Sequence, residues 1–186
     1  MRLFVALDVP ASIRGALTDA LAPLRARHHT LRWIPPGDWH LTLAFLGPTP
    51  IARRLRAQIA LRAVASTAEP FPLLLDGRLG RFGDRVLWAA VASAGHGLTE
   101  LATAVRDELA SAGVVTDDRP FRAHLTVARA RRDHKVPRVS TPLALRPHAG
   151  RWTVRRMALM ASQPAHGGGG RYRAVATWPL HGAPRT

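Results

Sequence analysis

The tripeptide His-Leu-Thr occurs twice, as His40-Leu41-Thr42 and His124-Leu125-Thr126, each followed by an apolar residue, Leu43 or Val127. With 9 His, 24 Leu and 13 Thr among 186 residues, chance supplies about 0.08 such tripeptides. In a strand, side chains alternate between faces, so each copy puts an imidazole and a hydroxyl on one side and two apolar chains on the other. Histidine exchanges a proton near neutral pH, so two in one cleft supply a general base and a general acid together. That pair suits in-line displacement at phosphorus, where a nucleophile enters and an oxygen leaves on opposite sides, each needing a proton moved. Thr42 and Thr126 are candidates to hold the oxygens of the reacting group. Arg129, five residues after His124, is a candidate to neutralise its charge.

A single His-Leu-Thr reads as a half-buried strand histidine bonded to nearby backbone; the repetition turns the reading to catalysis. A metal site is the rival use of paired histidines. Neither motif holds an aspartate or glutamate and the chain has no cysteine, so a third ligand would have to come from afar. The expectation is chemistry with no metal and no cofactor. The lack of cysteine also excludes a disulfide framework and a thiolate nucleophile. The run Gly167 to Gly170 lacks the lysine and the strand-to-helix context of a phosphate loop and reads as a flexible connection. His28, His29 and His166 read as surface residues.

The elements that must position the motifs follow from apolar spacing. Arg2 to Leu7 reads as a strand, and Pro10 to Arg27 as a helix through Ile13, Leu17, Leu21 and Leu24. A short extended piece, Leu31 to Ile34, stops at Pro35 and Pro36 before the first motif strand, Trp39 to Leu46. A helix over Ile51 to Ala65 follows, then a hairpin of Phe71 to Leu79 with Val86 to Ala92. Leu98 to Ala112 is amphipathic and Gly113 is its stop. The second motif lies in a strand over Phe121 to Arg129, and an irregular stretch, Arg131 to Pro142, comes next. Strands over Trp152 to Ala161 and Tyr172 to Pro179 complete an α+β chain. The copies are 84 residues apart, each after a helical segment, as expected of two related halves facing one another.

The length predicts one domain over residues 1–186, built as two lobes. Hydrophobic residues at 47% and charged residues at 21% are ordinary globular usage and argue against disorder. No apolar run approaches the roughly 18 residues of a membrane span, and Asp8 and Pro10 halt the opening before any signal-peptide core forms. A cytoplasmic protein with no membrane partner is expected, with monomer as the default. The net charge is +15, and 26 of the 27 basic residues are arginine. Such a chain suits a polyanion such as RNA; genome-wide bias toward arginine explains the charge equally well.

At these residues the sequence resembles the RNA 2′,3′-cyclic phosphodiesterase family of the two-histidine phosphoesterase superfamily, once named 2′-5′ RNA ligases, whose pattern is His-x-Thr/Ser-x twice. The resemblance runs nearly end to end. It includes Met1-Arg2-Leu3-Phe4-Val5-Ala6-Leu7, Arg32-Trp33-Ile34-Pro35-Pro36, Phe45-Leu46-Gly47, Val86-Leu87-Trp88, Arg129, Gly169-Gly170-Arg171-Tyr172 and Trp178-Pro179-Leu180. Ala123 departs from the pattern, standing where the family commonly has proline. The resemblance implies a bilobal fold of two pseudo-symmetric antiparallel sheets flanking a central cleft, with helices outside. It implies metal-independent opening of a terminal 2′,3′-cyclic phosphate to a 2′-phosphate, on RNA ends or small cyclic-phosphate nucleotides. By the same resemblance His124 is the proton acceptor that activates water and His40 the proton donor to the departing 3′ oxygen, a pair of roles that sequence leaves interchangeable. Thr42, Thr126 and Arg129 are then phosphate contacts, and Phe4, Trp33 and Tyr172 either stack a base or pack in the core.

Two other functions fit the same residues. Reversible 2′-5′ ligation of RNA passes through the same transition state as hydrolysis of the cyclic phosphate. An RNA-binding module without turnover would account for the charge, but simple phosphate binding does not call for paired imidazoles.

Overall fold

A computed structural model describes residues 1–163 and 171–181; the expected Gly167 to Gly170 loop and His166 lie outside the described residues. The chain opens with β1 (Arg2–Asp8), whose residues Leu3 to Leu7 are all buried, as an apolar run covered on both faces must be. Helix α1 (Ala11–Arg27) follows, burying Ile13, Leu17 and Leu21 at four-residue intervals. A two-residue strand β2 (Arg32–Trp33) and a single 3₁₀ turn at Pro36–Asp38 lead into β3 (His40–Pro48), which carries the first motif. Then come α2 (Ile51–Thr67), the hairpin β4 (Phe71–Phe82) and β5 (Val86–Ser93), and α3 (Gly97–Ser111). The second motif opens β6 (His124–Arg129), which begins three residues later than the apolar pattern predicts. The long irregular stretch after it is tied down at Val136, which is 1% exposed and donates to the Asp84 carbonyl at 2.9 Å. Strands β7 (Arg151–Val154), β8 (Arg156–Ser162) and β9 (Tyr172–Pro179) complete the mixed α and β architecture.

Among the described residues all strand pairings are antiparallel, in the order β7-β4-β5-β6-β3-β1-β8-β9, with β2 added alongside β6. Each motif strand lies beside the strand that precedes it across a helix: β1, α1, β3 in one half and β5, α3, β6 in the other. Sequence reasoning expects two sheets; the hydrogen bonds instead run through one nine-stranded sheet whose halves meet at β3 and β6. There a single registered pair, Leu41 with Leu125, forms the seam.

The strand expected over Trp152 to Ala161 is two strands broken at Arg155. β7 pairs with β4 in one half and β8 with β1 in the other. One residue can link such distant positions only because the sheet curls back on itself, the sum of its right-handed strand twist. The Arg155 carbonyl, freed from the ladder, accepts from Leu180 N–H at 2.9 Å. Helices α2 and α3 pack together, α2 also against β8 and β9 and α3 against β3. No helix among the described residues is long and apolar enough to cross a membrane.

Candidate active site

The seam decides how the motifs meet. With Leu41 opposite Leu125 in an antiparallel pair, the register continued by one residue sets His40 across from Thr126 and Thr42 across from His124. Leu41 and Leu125 are fully buried on the far side, while the four polar side chains share the other face, half-buried. His40 and His124 are therefore diagonal neighbours, roughly 7–8 Å apart at the backbone. The sequence-predicted pairs converge as one square of two imidazoles and two hydroxyls.

Each motif strand then carries an irregularity at the third residue after its histidine. In β3, Thr42 pairs with Ala6 and Ala44 with Val5, so Leu43 is the extra residue. In β6, Thr126 pairs with Trp88 and Ala128 with Leu87, so Val127 is extra. Such a bulge reverses the alternation beyond it. Phe45, partner of Phe4, and Arg129, partner of Val86, consequently lie on the histidine face, although strict alternation from His40 and His124 puts both on the opposite side.

Both histidines are held the same way. Nδ1 of His40 lies 2.8 Å from the Asp38 carbonyl and Nδ1 of His124 lies 2.6 Å from the Arg122 carbonyl, each two residues upstream. A carbonyl only accepts, so in each ring Nδ1 carries a proton and Nε2 is the atom free to exchange one. Asp38 is a site residue that sequence reasoning did not single out. Only 6% exposed, it uses its carboxylate to accept the backbone N–H of Arg171 at 3.0 Å, tying the entry of β9 to His40.

Aromatic rings fix the imidazole planes. His40 lies 4.8 Å from Phe4 and 4.8 Å from Tyr172, the latter edge-on. His124 lies 4.8 Å from Phe82, edge-on, and 6.2 Å from Trp88. Of the three residues weighed as base-stacking candidates, Phe4 is buried and Tyr172 braces His40. Trp33 packs at the end of α1, its Nε1–H donating to the His28 carbonyl at 3.1 Å with Arg25 over the ring.

Burial pushes the proton affinity of both histidines down from 6.5. At His40 the Asp38 carbonyl and carboxylate oppose that shift, whereas His124 and Arg129 add to it. At His124 the Arg122 carbonyl opposes it, and Arg129 and Arg119 add to it. Arg129 thus acts on both rings. It is also the direct cross-strand partner of Arg32, whose own proton affinity is lowered by burial and by the nearby Arg171 and Arg129. Arg32, Arg129 and Arg171 thus form a cluster of guanidinium groups at this edge of the motif strands.

Two motif strands abutting on one antiparallel sheet, each with its histidine and threonine, define a class. The 2′-5′ RNA ligase superfamily matches residues 8–165, and the chain belongs to it. Within it the chain is a member of the RNA 2′,3′-cyclic phosphodiesterase family. The curated enzyme of that name from Escherichia coli is 30% identical over 184 residues, 96% of each chain. One from Geobacillus stearothermophilus is 32% identical in an alignment of 194 positions, gaps included, that covers 97% of this chain and 58% of the relative, so this chain spans little over half of that protein. Among solved structures, Escherichia coli LigT complexed with 3′-AMP aligns with a TM-score of 0.78 at 30% identity, over 96% of this chain and 97% of LigT.

Proposed function

We propose that this chain hydrolyses a terminal 2′,3′-cyclic phosphate on RNA, or on a small nucleotide, to a 2′-phosphate, and that the His40, His124, Thr42, Thr126 square performs the reaction. The observation that carries the reading is the pair of imidazoles with matching Nδ1 anchors and free Nε2 atoms on one face. Water attacks phosphorus while Nε2 of His124 takes its proton. The P–O3′ bond breaks, and Nε2–H of His40 protonates the departing oxygen, leaving a 2′-phosphomonoester and a 3′ hydroxyl. Thr42, Thr126 and the Arg129 guanidinium hold the non-bridging oxygens.

The direction of proton flow is supported by the neighbours. Burial lowers both rings and Arg129 acts on both, so what distinguishes them is the carboxylate of Asp38, which favours the charged, donating form of His40, and the Arg119 guanidinium, which favours the neutral, accepting form of His124. In this reading the two halves of the sheet act as lobes flanking a central cleft, related by a pseudo-two-fold axis through the Leu41–Leu125 seam, and a single chain carries the whole site.

The test is turnover of an RNA oligonucleotide ending in a 2′,3′-cyclic phosphate, with chelator present, and identification of the product isomer. Formation of the 2′-phosphate supports the reading. A folded protein that binds the RNA without converting it favours a binding module and sinks the enzyme.

A further inference from the structure

We propose that Arg32 and Arg171 form a second phosphate subsite beside the histidine–threonine square, which takes the 5′-phosphate of the nucleotide whose cyclic end is opened. The inference rests on the phosphodiesterase reading and adds a group recognised away from the reacting phosphorus. Arg32 is the registered partner of Arg129, and cross-strand partners share a face, so Arg32 stands on the face of the two histidines. Strand β2 takes the same edge of β6 that β3 occupies at the Leu41–Leu125 seam, which sets Arg32 next to the first motif. Arg171 reaches the same place from the other half. Its N–H is bonded to the Asp38 carboxylate, and the Asp38 carbonyl holds His40. Tyr172, the next residue, lies with its ring against His40 and acts electrostatically on Arg32.

The charge count points to two anions rather than one. Among the described residues the ion pairs engage Arg78, Arg81, Arg119, Lys135 and Arg156, and no carboxylate pairs with the side chain of Arg32, Arg129 or Arg171. Asp38 is no exception, since its carboxylate is buried and bonded to backbone. A 2′,3′-cyclic phosphate carries a single negative charge, which the Arg129 guanidinium matches; Arg32 and Arg171 are cations in surplus of it. The spacing suits the other phosphate of the same nucleotide. Arg129 and its partner Arg32 stand three residues beyond Thr126, roughly 10 Å along a strand, a gap that one ribose and the long arginine side chains close together. A 5′-phosphate is a diester in an RNA end and a monoester in a free nucleotide, and both present non-bridging oxygens to bidentate guanidinium donors. Such contacts position the substrate without reading its sequence.

The experiment compares three substrates: adenosine 2′,3′-cyclic phosphate with a 5′ hydroxyl, the same compound with a 5′-monophosphate, and the dinucleotide ApA ending in a 2′,3′-cyclic phosphate. Wild-type kcat/KM is expected to be at least about ten-fold higher with the 5′-monophosphate than with the 5′ hydroxyl, mostly through KM. In Arg32→Gln, and separately in Arg171→Gln, that ratio falls toward one, and Arg32→Lys keeps part of it. Because the ratio compares two substrates on one protein, a loss of folded enzyme lowers both rates and leaves it unchanged. An equal gain on the dinucleotide, lost in the same variants, extends the subsite to RNA ends; a gain there that survives both substitutions belongs to the second nucleoside and overturns it. A wild type that gains nothing from the 5′-monophosphate, or variants that keep the wild-type ratio, overturn the subsite and leave the phosphodiesterase intact. A wild-type protein that cleaves none of the three overturns the phosphodiesterase reading itself, and the subsite with it.

Discussion

Phe45 and Arg129 are counterparts: each stands five residues after its motif histidine, and each is returned to the histidine's face by a bulge at the third position. One half of the pseudo-symmetric site thus presents an aromatic ring where the other presents a guanidinium. A repeat that is symmetric in its reacting groups becomes asymmetric in what flanks them.

Removing the guanidinium should separate phosphate binding from chemistry. Arg129→Ala is expected to lower kcat/KM on an RNA end by about 10- to 100-fold, the worth of a charge-assisted contact. It should also reduce the slope of log affinity against log salt by about one. Arg129→Lys restores charge without bidentate geometry and should recover only part of the loss. A salt slope unchanged in Arg129→Ala would place this residue off the phosphate.

The histidines should behave as a unit. His40→Ala and His124→Ala are each expected to lose about 10²- to 10⁴-fold in kcat. The double variant should be little worse than the worse single one, because neither proton transfer helps without the other. Full additivity in single-turnover rates would mean that the rings act in separate steps.

How much of this was legible in the sequence depends on what alternation can convey. The motifs, the strand-helix-strand order of each half and the burial of Leu41, Leu43, Leu125 and Val127 follow from apolar spacing and stand in the structure. The faces of Phe45 and Arg129 do not follow, since a bulge is a property of two paired strands and leaves no mark in one of them. Asp38 was hidden for a related reason: its role depends on Arg171, 133 residues away. The break at Arg155 was invisible because the segments on either side of it both read as extended, and only the curl of the sheet assigns them to different partners. Continuity across the seam likewise rests on the Leu41–Leu125 pair, which joins into one sheet what the repeat suggests are two related halves.

The pH dependence follows from two lowered proton affinities. The ascending limb of kcat/KM reports loss of the proton from the base and the descending limb its loss from the acid. Burial lowers both histidines from 6.5, so the maximum of the bell is expected on the acid side of 6.5 rather than at neutrality. Arg119→Ala removes a cation that depresses His124 and should move the ascending limb to higher pH. If the descending limb moves instead, His124 is the acid and the two roles are exchanged.

Asp38 is a positioning residue whose charge and acceptor can be tested apart. Asp38→Asn keeps an oxygen for the Arg171 N–H but removes the carboxylate that favours protonated His40. Thermal stability should change little, while the descending limb moves to lower pH. Asp38→Ala also orphans the Arg171 N–H and should cost about 1–3 kcal/mol of stability. Identical pH profiles in wild type and Asp38→Asn would reduce Asp38 to a structural tie.

Gly80 supports His124 from a distance. It is the cross-strand partner of Trp88, and a Cβ at Gly80 would lie 2.1 Å from the indole Cζ2 and 2.3 Å from Cη2. The absence of a side chain therefore lets the indole lie flat over β4, where it meets Phe82 at 5.4 Å, and Phe82 in turn meets His124. Gly80→Ala must displace that ring, at about 1–3 kcal/mol for overpacking, and should lower kcat more than it raises KM by loosening the imidazole. Gly83→Ala is the control. Its backbone is left-handed at φ +51° with nothing within 4 Å of a Cβ, so it should cost about 1 kcal/mol of stability with kcat unchanged. Combining Gly80→Ala with Trp88→Phe trims the ring that clashes and should recover part of the lost Tm. If Gly80→Ala lowers Tm but leaves kcat at the wild-type value, the aromatic cluster stabilises the fold without positioning His124.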